Sequence, residues 1–149
     1  MSYTGRKLIV QGTKAKAVAI AQASVEKKAT DVLVLNVSKL TSVTDYLVLC
    51  SGESERQVRA IADNIDRVLS SRRNPPLSIE GTASSQWVLM DFGDVIAHIF
   101  RSDVRAHYAL EKLWGDAPRV RVPVPEPTAE KPVAGPPKRR RSLRAGSQT

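Results

Sequence analysis

The sequence has one cysteine, two histidines and no long apolar run. A single cysteine cannot form an internal disulfide, and Cys50 lies within an apolar stretch. We therefore interpret Cys50 as a buried, unreactive thiol in a protein of a reducing compartment. Apolar stretches such as Val32–Val37 are much shorter than the ~18–20 residues that span a bilayer. These shortages exclude a disulfide scaffold, and they favour a cytoplasmic protein without a membrane partner.

The net charge of +8 is unevenly distributed along the chain. Up to Ala117 the sequence has 15 Lys and Arg against 13 Asp and Glu, whereas from Pro118 onward it has 8 against 2. The high isoelectric point therefore does not indicate a folded nucleic-acid-binding domain. The first sixteen residues are basic and lack acids, as in organellar transit peptides, but they contain less Arg and Ser than such peptides usually do.

Seven of the nine prolines fall between Pro118 and Pro137. Proline lacks the backbone donor that helices and sheets need, and large apolar residues are almost absent from this stretch. We predict a disordered Pro-rich basic tail over residues 118–149, ending in the cluster Lys138–Arg141. Residues 1–12 are predicted to be flexible, and residues 13–117 to form a single domain.

The central part of the chain shows helical and strand patterns in turn. The apolar run from Val32 to Leu35 does not alternate, which indicates a strand covered on both faces. Ser54 and Gln57 match a capping box at the start of a helix with one apolar stripe. The predicted elements are helix Lys14–Ala29, strands Asp31–Ser38 and Asp45–Ser51, helix Glu55–Ser71, strands Leu77–Glu80, Trp87–Asp91 and Val95–Phe100, and helix Asp103–Trp114. A helical crossover followed by a hairpin predicts an α/β fold with a mixed sheet and flanking helices.

No arrangement of residues indicates catalysis or a cofactor. Ser51-Gly52 precedes a helix and could cradle a phosphate, but one glycine is not a phosphate loop. Asp91 and Asp94 are spaced at i and i+3, whereas a metal pair on one strand face needs i and i+2. Neither histidine has a ligand partner at metal spacing. We therefore predict no catalytic residue, no metal and no cofactor.

The aromatic residues suggest a binding surface instead. Phe92 occupies the predicted hairpin turn between Asp91 and Asp94, and an exposed aromatic ringed by acids suits a basic protein partner. For Trp87 and Phe92, burial in the core is an equally good interpretation. Tyr108 and Trp114 are better explained as core residues. Exposure of such a patch would also favour a homodimer.

Several short motifs resemble one protein family. They are Thr44-Asp45-Tyr46, Ser51-Gly52-x-Ser54-x-Arg56-Gln57, Glu80-Gly81, Trp87-Val-Leu-Met-Asp91-Phe-Gly93-Asp94, His98-Ile-Phe100, Arg105-x-x-Tyr108 and Leu110-Glu111-x-Leu113-Trp114. In order and spacing they are similar to the ribosomal silencing factor (Iojap-like) family. The resemblance covers about Lys16 to Asp116.

The resemblance implies a nucleotidyltransferase-like fold without that activity. It also implies binding to the large ribosomal subunit at its fourteenth protein, where the factor blocks joining of the small subunit when nutrients are short. The partner-binding residues predicted on this basis are Trp87, Asp91, Phe92, Asp94, Asp45, Tyr46 and Glu80. The basic tail is outside the resemblance, and a contact with ribosomal RNA is a separate expectation.

Four positions depart from the family pattern. Asn36 stands where Asp is usual, Phe92 replaces Tyr, Leu47 replaces Phe, and Ser85 replaces Gly. The change at Asn36 argues further against a catalytic carboxylate there. Two alternative functions stay open at this stage: a nucleotidyltransferase-like enzyme using Asp91, and a nucleic-acid-binding protein acting through its tail.

Overall fold

The computed structural model describes residues 12–123, apart from the side chains of Tyr108 and Leu110. Helices and strands alternate along most of this part of the chain. In chain order they are α1 (Thr13–Glu26), β1 (Thr30–Asn36), β2 (Tyr46–Gly52), α2 (Glu55–Ser71), β3 (Ser78–Glu80), β4 (Trp87–Asp91), β5 (Val95–Arg101), α3 (Ser102–Tyr108), α4 (Leu110–Leu113) and β6 (Arg119–Val120).

Helix α2 has the bounds predicted from the sequence. The Ser54 Oγ accepts a hydrogen bond from the Gln57 backbone N–H at 3.1 Å, as the capping box requires. The Gln57 side chain accepts in return from the backbone N–H of Glu53, one residue before the cap, at 2.7 Å. The helix buries one apolar stripe, which comprises Val58, Ile61, Ala62, Ile65 and Leu69.

The sheet has six strands in the order β3-β4-β5-β2-β1-β6. Strands β2 and β5 are parallel, with Tyr46 opposite Val95, and all other neighbours are antiparallel. The predicted α/β fold with a mixed sheet and flanking helices is therefore confirmed. The parallel pair lies in the middle because the chain crosses through α2 between β2 and the β3–β5 meander.

Helices α1 and α2 cover one face of the sheet and form the larger core. Its fully buried side chains come from both helices and the central strands; they include Ile20, Ile61, Val34, Val48, Met90 and Ile99. Cys50 belongs to this core, and the prediction of a buried thiol is confirmed. Burial raises the pKa of the Cys50 thiol to about 12, so it stays protonated and unreactive at neutral pH.

A smaller core lies on the opposite face, under α3 and the chain that follows it. Its buried residues are Leu35, Val37, Leu47, Leu49, Phe100 and Ala117. Half-buried Val104 and Trp114 pack against it, in agreement with the prediction of a core role for Trp114. The side chain of Tyr108, for which a core role was also predicted, lies outside the described residues. This second layer covers only part of its sheet face.

The predicted last helix, Asp103–Trp114, is wrong in one respect. Ala109 adopts the left-handed conformation, with φ 48° and ψ 47°, and divides the segment into α3 and α4. The break redirects the chain, so that Trp114 returns to the sheet instead of continuing along the axis of α3.

The predicted disordered tail begins too early. Arg119 and Val120 form β6, which pairs antiparallel with Leu35 and Val34 of β1. The fold thus continues to Pro123, and residues 124–149 lie outside the described part of the chain. The flexible segment predicted for residues 1–12 also falls outside it, except for Gly12. None of the helices within residues 12–123 is long and apolar enough to cross a membrane.

Candidate functional site

Strands β4 and β5 show a regular alternation of burial. In β4, Val88 and Met90 are fully buried under the helices, while Trp87, Leu89 and Asp91 are only half-buried. The cross-strand pairs of the half-buried set are Leu89 with His98 and Asp91 with Ile96. Because opposite residues of an antiparallel pair point to the same side, these side chains share the face that α1 and α2 leave uncovered. We call this set, with Trp87, the open sheet face.

The open sheet face forms the floor of a shallow groove of about 320 Å³, which we call the sheet groove. Its walls come from the loop before β2 and from the end of α4. The lining residues are Thr41, Val43, Thr44, Leu47, Trp87, Leu89, Ile96, His98, Leu113 and Trp114. Val43 and Leu113 at its rim are 73% and 72% exposed. An apolar surface of this kind is typical of protein contacts.

Trp87 is held against the floor of the sheet groove by its neighbours. Its indole N–H donates to His98 Nδ1 at 3.0 Å, and its ring centroid lies 5.0 Å from that of Phe100. Burial lowers the pKa of His98 to about 4, so the imidazole is neutral at pH 7 and can accept this bond. The prediction of a half-buried, hydrogen-bonded His98 is therefore confirmed.

The two carboxylates of the hairpin turn have separate roles. Asp91 Oδ1 accepts a hydrogen bond from the Gly93 backbone N–H at 2.7 Å, which stabilises the start of the turn. Asp94 reaches α1 instead, where it pairs with Lys16 Nζ at 2.8 Å and accepts from Thr13 at 2.9 Å. Burial would raise the pKa of Asp94, but the hydrogen bonds from Lys16 and Thr13 outweigh it and lower the pKa. These carboxylates do not converge on a common site.

Phe92 is buried, so the core interpretation of the two left open for it is correct, and its prediction as a partner-binding residue is wrong. Its side chain is 5% exposed and belongs to the larger core under the helices. The alternation explains this position, because Val88, Met90 and Phe92 fall on the same side of the hairpin. Phe92 is therefore a core residue and offers no surface to a partner.

The remaining predicted contact residues are spread around the domain. Glu80 is exposed on the edge strand β3, opposite Leu89, and so lies beside the open sheet face. Tyr46 packs instead against the core under the helices, and Asp45 is exposed at the end of the sheet beside Asp94. The structure thus brings Trp87, Asp91 and Glu80 to one face, and it separates them from Asp45, Tyr46, Phe92 and Asp94.

The strand end at Ser51-Gly52 serves a structural purpose. The Arg105 guanidinium, 6% exposed, donates to Ser51 Oγ at 2.8 Å and to the Asp31 carbonyl at 2.6 Å. The Ser102 hydroxyl donates to the Gly52 carbonyl at 3.1 Å. These bonds anchor α3 to the sheet. Within residues 12–123, no group of three or more His, Cys, Asp or Glu side chains is arranged to hold a metal ion.

Several residues of the sheet groove were missed from the sequence, namely Leu89, Ile96, Val43 and Leu113. The available signal was the two-residue period: an apolar residue at Leu89 shares a face with Trp87, and Ile96 follows from the hairpin register. Nothing local in the sequence places Val43 or Leu113 beside them, since both come from other parts of the chain.

Comparison with known proteins agrees with the fold. A family model described as "ribosomal silencing factor during starvation" matches residues 10–147. The chain belongs to the ribosomal silencing factor family. The resemblance seen in the sequence is thereby confirmed, and the match extends into the tail, beyond the range from Lys16 to Asp116.

Individual relatives show the same relationship. The Halalkalibacterium halodurans "Ribosomal silencing factor RsfS" is 44% identical over 95 residues, which are 64% of this chain and 81% of that protein. The mouse "Mitochondrial assembly of ribosomal large subunit protein 1" is 34% identical over 92 residues, 60% of this chain and 40% of its own length. A crystal structure of a Chromobacterium violaceum protein superposes with a TM-score of 0.69 at 33% identity, covering 70% of this chain and 88% of that one.

Proposed function

We propose that this protein is a non-catalytic translation repressor that binds the large ribosomal subunit through the sheet groove. The observation that carries the proposal is the part of the second sheet face that α3 and α4 leave uncovered. Trp87 is fixed on the floor of the groove there. A rigid aromatic side chain in an apolar depression is the usual anchor of a protein interface. Membership of the silencing factor family, and the large-subunit name of the mouse relative, support the choice of partner.

The mechanism that we propose is steric. A domain seated on the face of the large subunit that meets the small subunit would prevent the two from joining, and so would lower translation when nutrients are short. The specific attachment point is the fourteenth protein of the large subunit. Exposed Glu80 and half-buried Asp91 flank the sheet groove, so its chemistry suits an apolar patch bordered by cations.

Leu89→Gln tests the sheet groove directly. This change puts an amide on the open sheet face, and losing burial of one leucine at an interface costs about 1.5–3 kcal/mol, or roughly 10–150-fold in affinity. The measurement is co-sedimentation of the purified protein with isolated large subunits. Small subunits, tested in parallel, should not retain it.

Ile79→Gln provides the matched control. Ile79 lies on the neighbouring strand but pairs with Met90, so its side chain is on the opposite sheet face, and it is 37% exposed. Its substitution should leave large-subunit binding unchanged. Equal losses in both variants, or no loss in Leu89→Gln, would contradict the assignment of the sheet groove.

Asp91→Lys tests the expected charge of the partner. Placing a cation beside a basic surface can cost several kcal/mol. We expect a folded Asp91→Lys variant to lose co-sedimentation, and Asp103→Lys, an exposed change on α3, to retain it. Full retention by Asp91→Lys would show that the partner surface near the hairpin is not basic.

The steric mechanism has its own test. Purified subunits should form fewer joined ribosomes as the protein is added, and Leu89→Gln should lose this effect in parallel with binding. A protein that binds the large subunit without hindering joining would overturn the steric mechanism and leave the binding proposal in place.

The apolar rim of the sheet groove also supports self-association of the free protein. Val43 and Leu113 are mostly exposed, and a second copy could cover them. Dimer and ribosome complex would then exclude each other. Sedimentation equilibrium at high concentration should detect the dimer, and Leu89→Gln should weaken it; a strictly monomeric mass would exclude it.

For the tail we propose a salt-dependent contact with ribosomal RNA. The proposal rests on its sequence, because residues 124–149 contain six Lys and Arg against two Glu. Truncation must follow Pro123 instead of Ala117, since β6 belongs to the folded domain. The affinity of the shortened protein for the large subunit should depend less steeply on salt, and its preference for that subunit should be unchanged. If affinity falls with salt equally in both forms, the tail makes no such contact.

A further inference from the structure

The last strand of the sheet presents cations on its surface. In the segment from Arg119 to Val122, arginine and valine alternate. Val120 and Val122 pack against the larger core, whereas Arg119 and Arg121 are exposed. Arg119 lies on the edge strand β6 and Arg121 follows it by two residues, so both exposed arginines lie at this edge of the sheet.

Two lysines extend this surface at either end. Lys39 lines a cavity together with Pro118, the residue before Arg119. Lys14, at the start of α1, lines another groove together with Arg121. All four cations are exposed, and none forms an ion pair with another residue of the described range 12–123. One acid lies near this surface: Asp116, three residues before Arg119, lines the cavity that contains Lys39.

We propose that this cationic strip, defined as Lys14, Lys39, Arg119 and Arg121, binds the phosphate backbone of RNA. Guanidinium groups pair with phosphate oxygens through two parallel hydrogen bonds, and no carboxylate within residues 12–123 forms an ion pair with Arg119 or Arg121. The valines between the arginines pack against the core, and the apolar neighbours of the strip are Leu40 beside Lys39 and Val18 beside Lys14. After Pro123 the sequence continues into the basic tail.

The cationic strip and the sheet groove are separate contacts. Trp87 and Leu89, on β4, lie four strand spacings from β6 in the sheet order, which is about 19 Å at ~4.8 Å per spacing, whereas Leu47 on β2 lies two spacings from it. A protein contact centred on β4 and an RNA contact at β6 are therefore compatible on one large subunit. The inference goes beyond the proposed function, because RNA binding by the cationic strip can be measured without a ribosome.

The test compares full-length variants binding to a short RNA duplex across a salt series. The double change Arg119→Gln and Arg121→Gln removes two phosphate contacts, each worth about 0.7–0.9 in the slope of log affinity against log salt. We expect the slope to fall by about 1.4–1.8. Arg119→Lys with Arg121→Lys keeps both charges and should restore most of the slope.

Arg72→Gln with Arg73→Gln is the matched control. These exposed arginines lie at the end of α2, form no ion pair within the described residues, and carry the same total charge. The control substitutions should leave the slope unchanged. A fall equal to that of the strip variant would show that net charge alone sets the slope, and it would overturn the proposal. An unchanged slope in the strip variant would overturn it as well.

Two further measurements separate the proposals. Binding of the wild-type protein to vesicles rich in phosphatidylglycerol, with no binding to the duplex, would assign the cationic strip to a membrane surface and overturn the RNA proposal. Leu89→Gln should bind the duplex like the wild type while losing the large subunit. If the wild type does not bind the large subunit at all but the duplex result holds, the proposed function fails and the RNA contact stands.

Discussion

Gly81→Ala should damage the fold at a defined point beside the sheet groove. Gly81 has a φ of +91°, and a Cβ atom added there would lie 2.1 Å from the Trp87 carbonyl oxygen. Real Cβ contacts are never so short, and the obstacle is backbone that cannot rotate away. The substitution must therefore move the start of β4, which carries Trp87.

The matched control is Gly93→Ala at the other end of β4. Gly93 has nearly the same φ, +87°, but an added Cβ would meet only the tip of the Leu77 side chain, at 3.3 Å. Both substitutions carry the left-handed backbone cost of an alanine, about 1–2 kcal/mol. Gly81→Ala adds the displacement of packed backbone, which by analogy with overpacked cores costs a further ~1–3 kcal/mol.

Urea unfolding followed by circular dichroism measures both losses on one scale. Gly81→Ala should lower the free energy of unfolding by about 2–5 kcal/mol, against about 1–2 kcal/mol for Gly93→Ala. Under conditions where both variants remain folded, Gly81→Ala should also bind the large subunit more weakly. Equal losses of stability would refute the reasoning, because the overlap with the Trp87 carbonyl is the difference between the two sites.

Three other outcomes follow from the same structure. The folded-state pKa of Asp94 is lowered, so its contribution to stability is present above the ordinary carboxyl pKa and is lost as the pH falls through the folded value. Asp94→Asn should therefore lower stability at pH 7 and flatten its decline in acid, and identical pH profiles would contradict this. Arg105→Met removes the donor of the bonds to the Ser51 hydroxyl and the Asp31 carbonyl and should cost about 1–3 kcal/mol in urea unfolding; no loss would show that these bonds are dispensable. Nucleotides with Mg²⁺ or Mn²⁺ should not be turned over above a buffer control, and turnover abolished by Asp91→Asn would show that the protein is an enzyme.

Local signals in the sequence were sufficient for most of the helices and strands. The bounds of α2 could be predicted because its cap and its apolar stripe lie within the segment itself. Strand β6 was missed because only two residues pair with β1, and prolines surround them. Its signal was the alternation of arginine with inward-facing valine, but the pairing depends on a strand more than eighty residues earlier.

The exposed interpretation of Phe92 depends on its place in a turn. The turn is closed by the Phe92 N–H, which donates to the Val95 carbonyl at 2.8 Å, so the strand geometry continues through this residue. Its side chain consequently follows Met90 into the core. The two-residue period of the strand places the Phe92 side chain on the core side, and it is a stronger signal than the composition of the turn.

The location of the sheet groove depends on a tertiary feature that no local pattern contains. Strand alternation predicts that β4 and β5 have apolar residues on both faces, but it does not say which half of the second face is covered. The covered half is determined by the helix break at Ala109. The left-handed conformation of this residue costs about 1–2 kcal/mol for an alanine. Packing of Trp114 and burial of Ala117 against the second core accompany this turn and offset its cost.

An unbroken helix would carry the chain about 9 Å further along the axis of α3 over the next six residues, and the wall formed by Leu113 and Trp114 would be absent. The sheet groove is therefore made by the break between α3 and α4 as much as by the strands that form its floor.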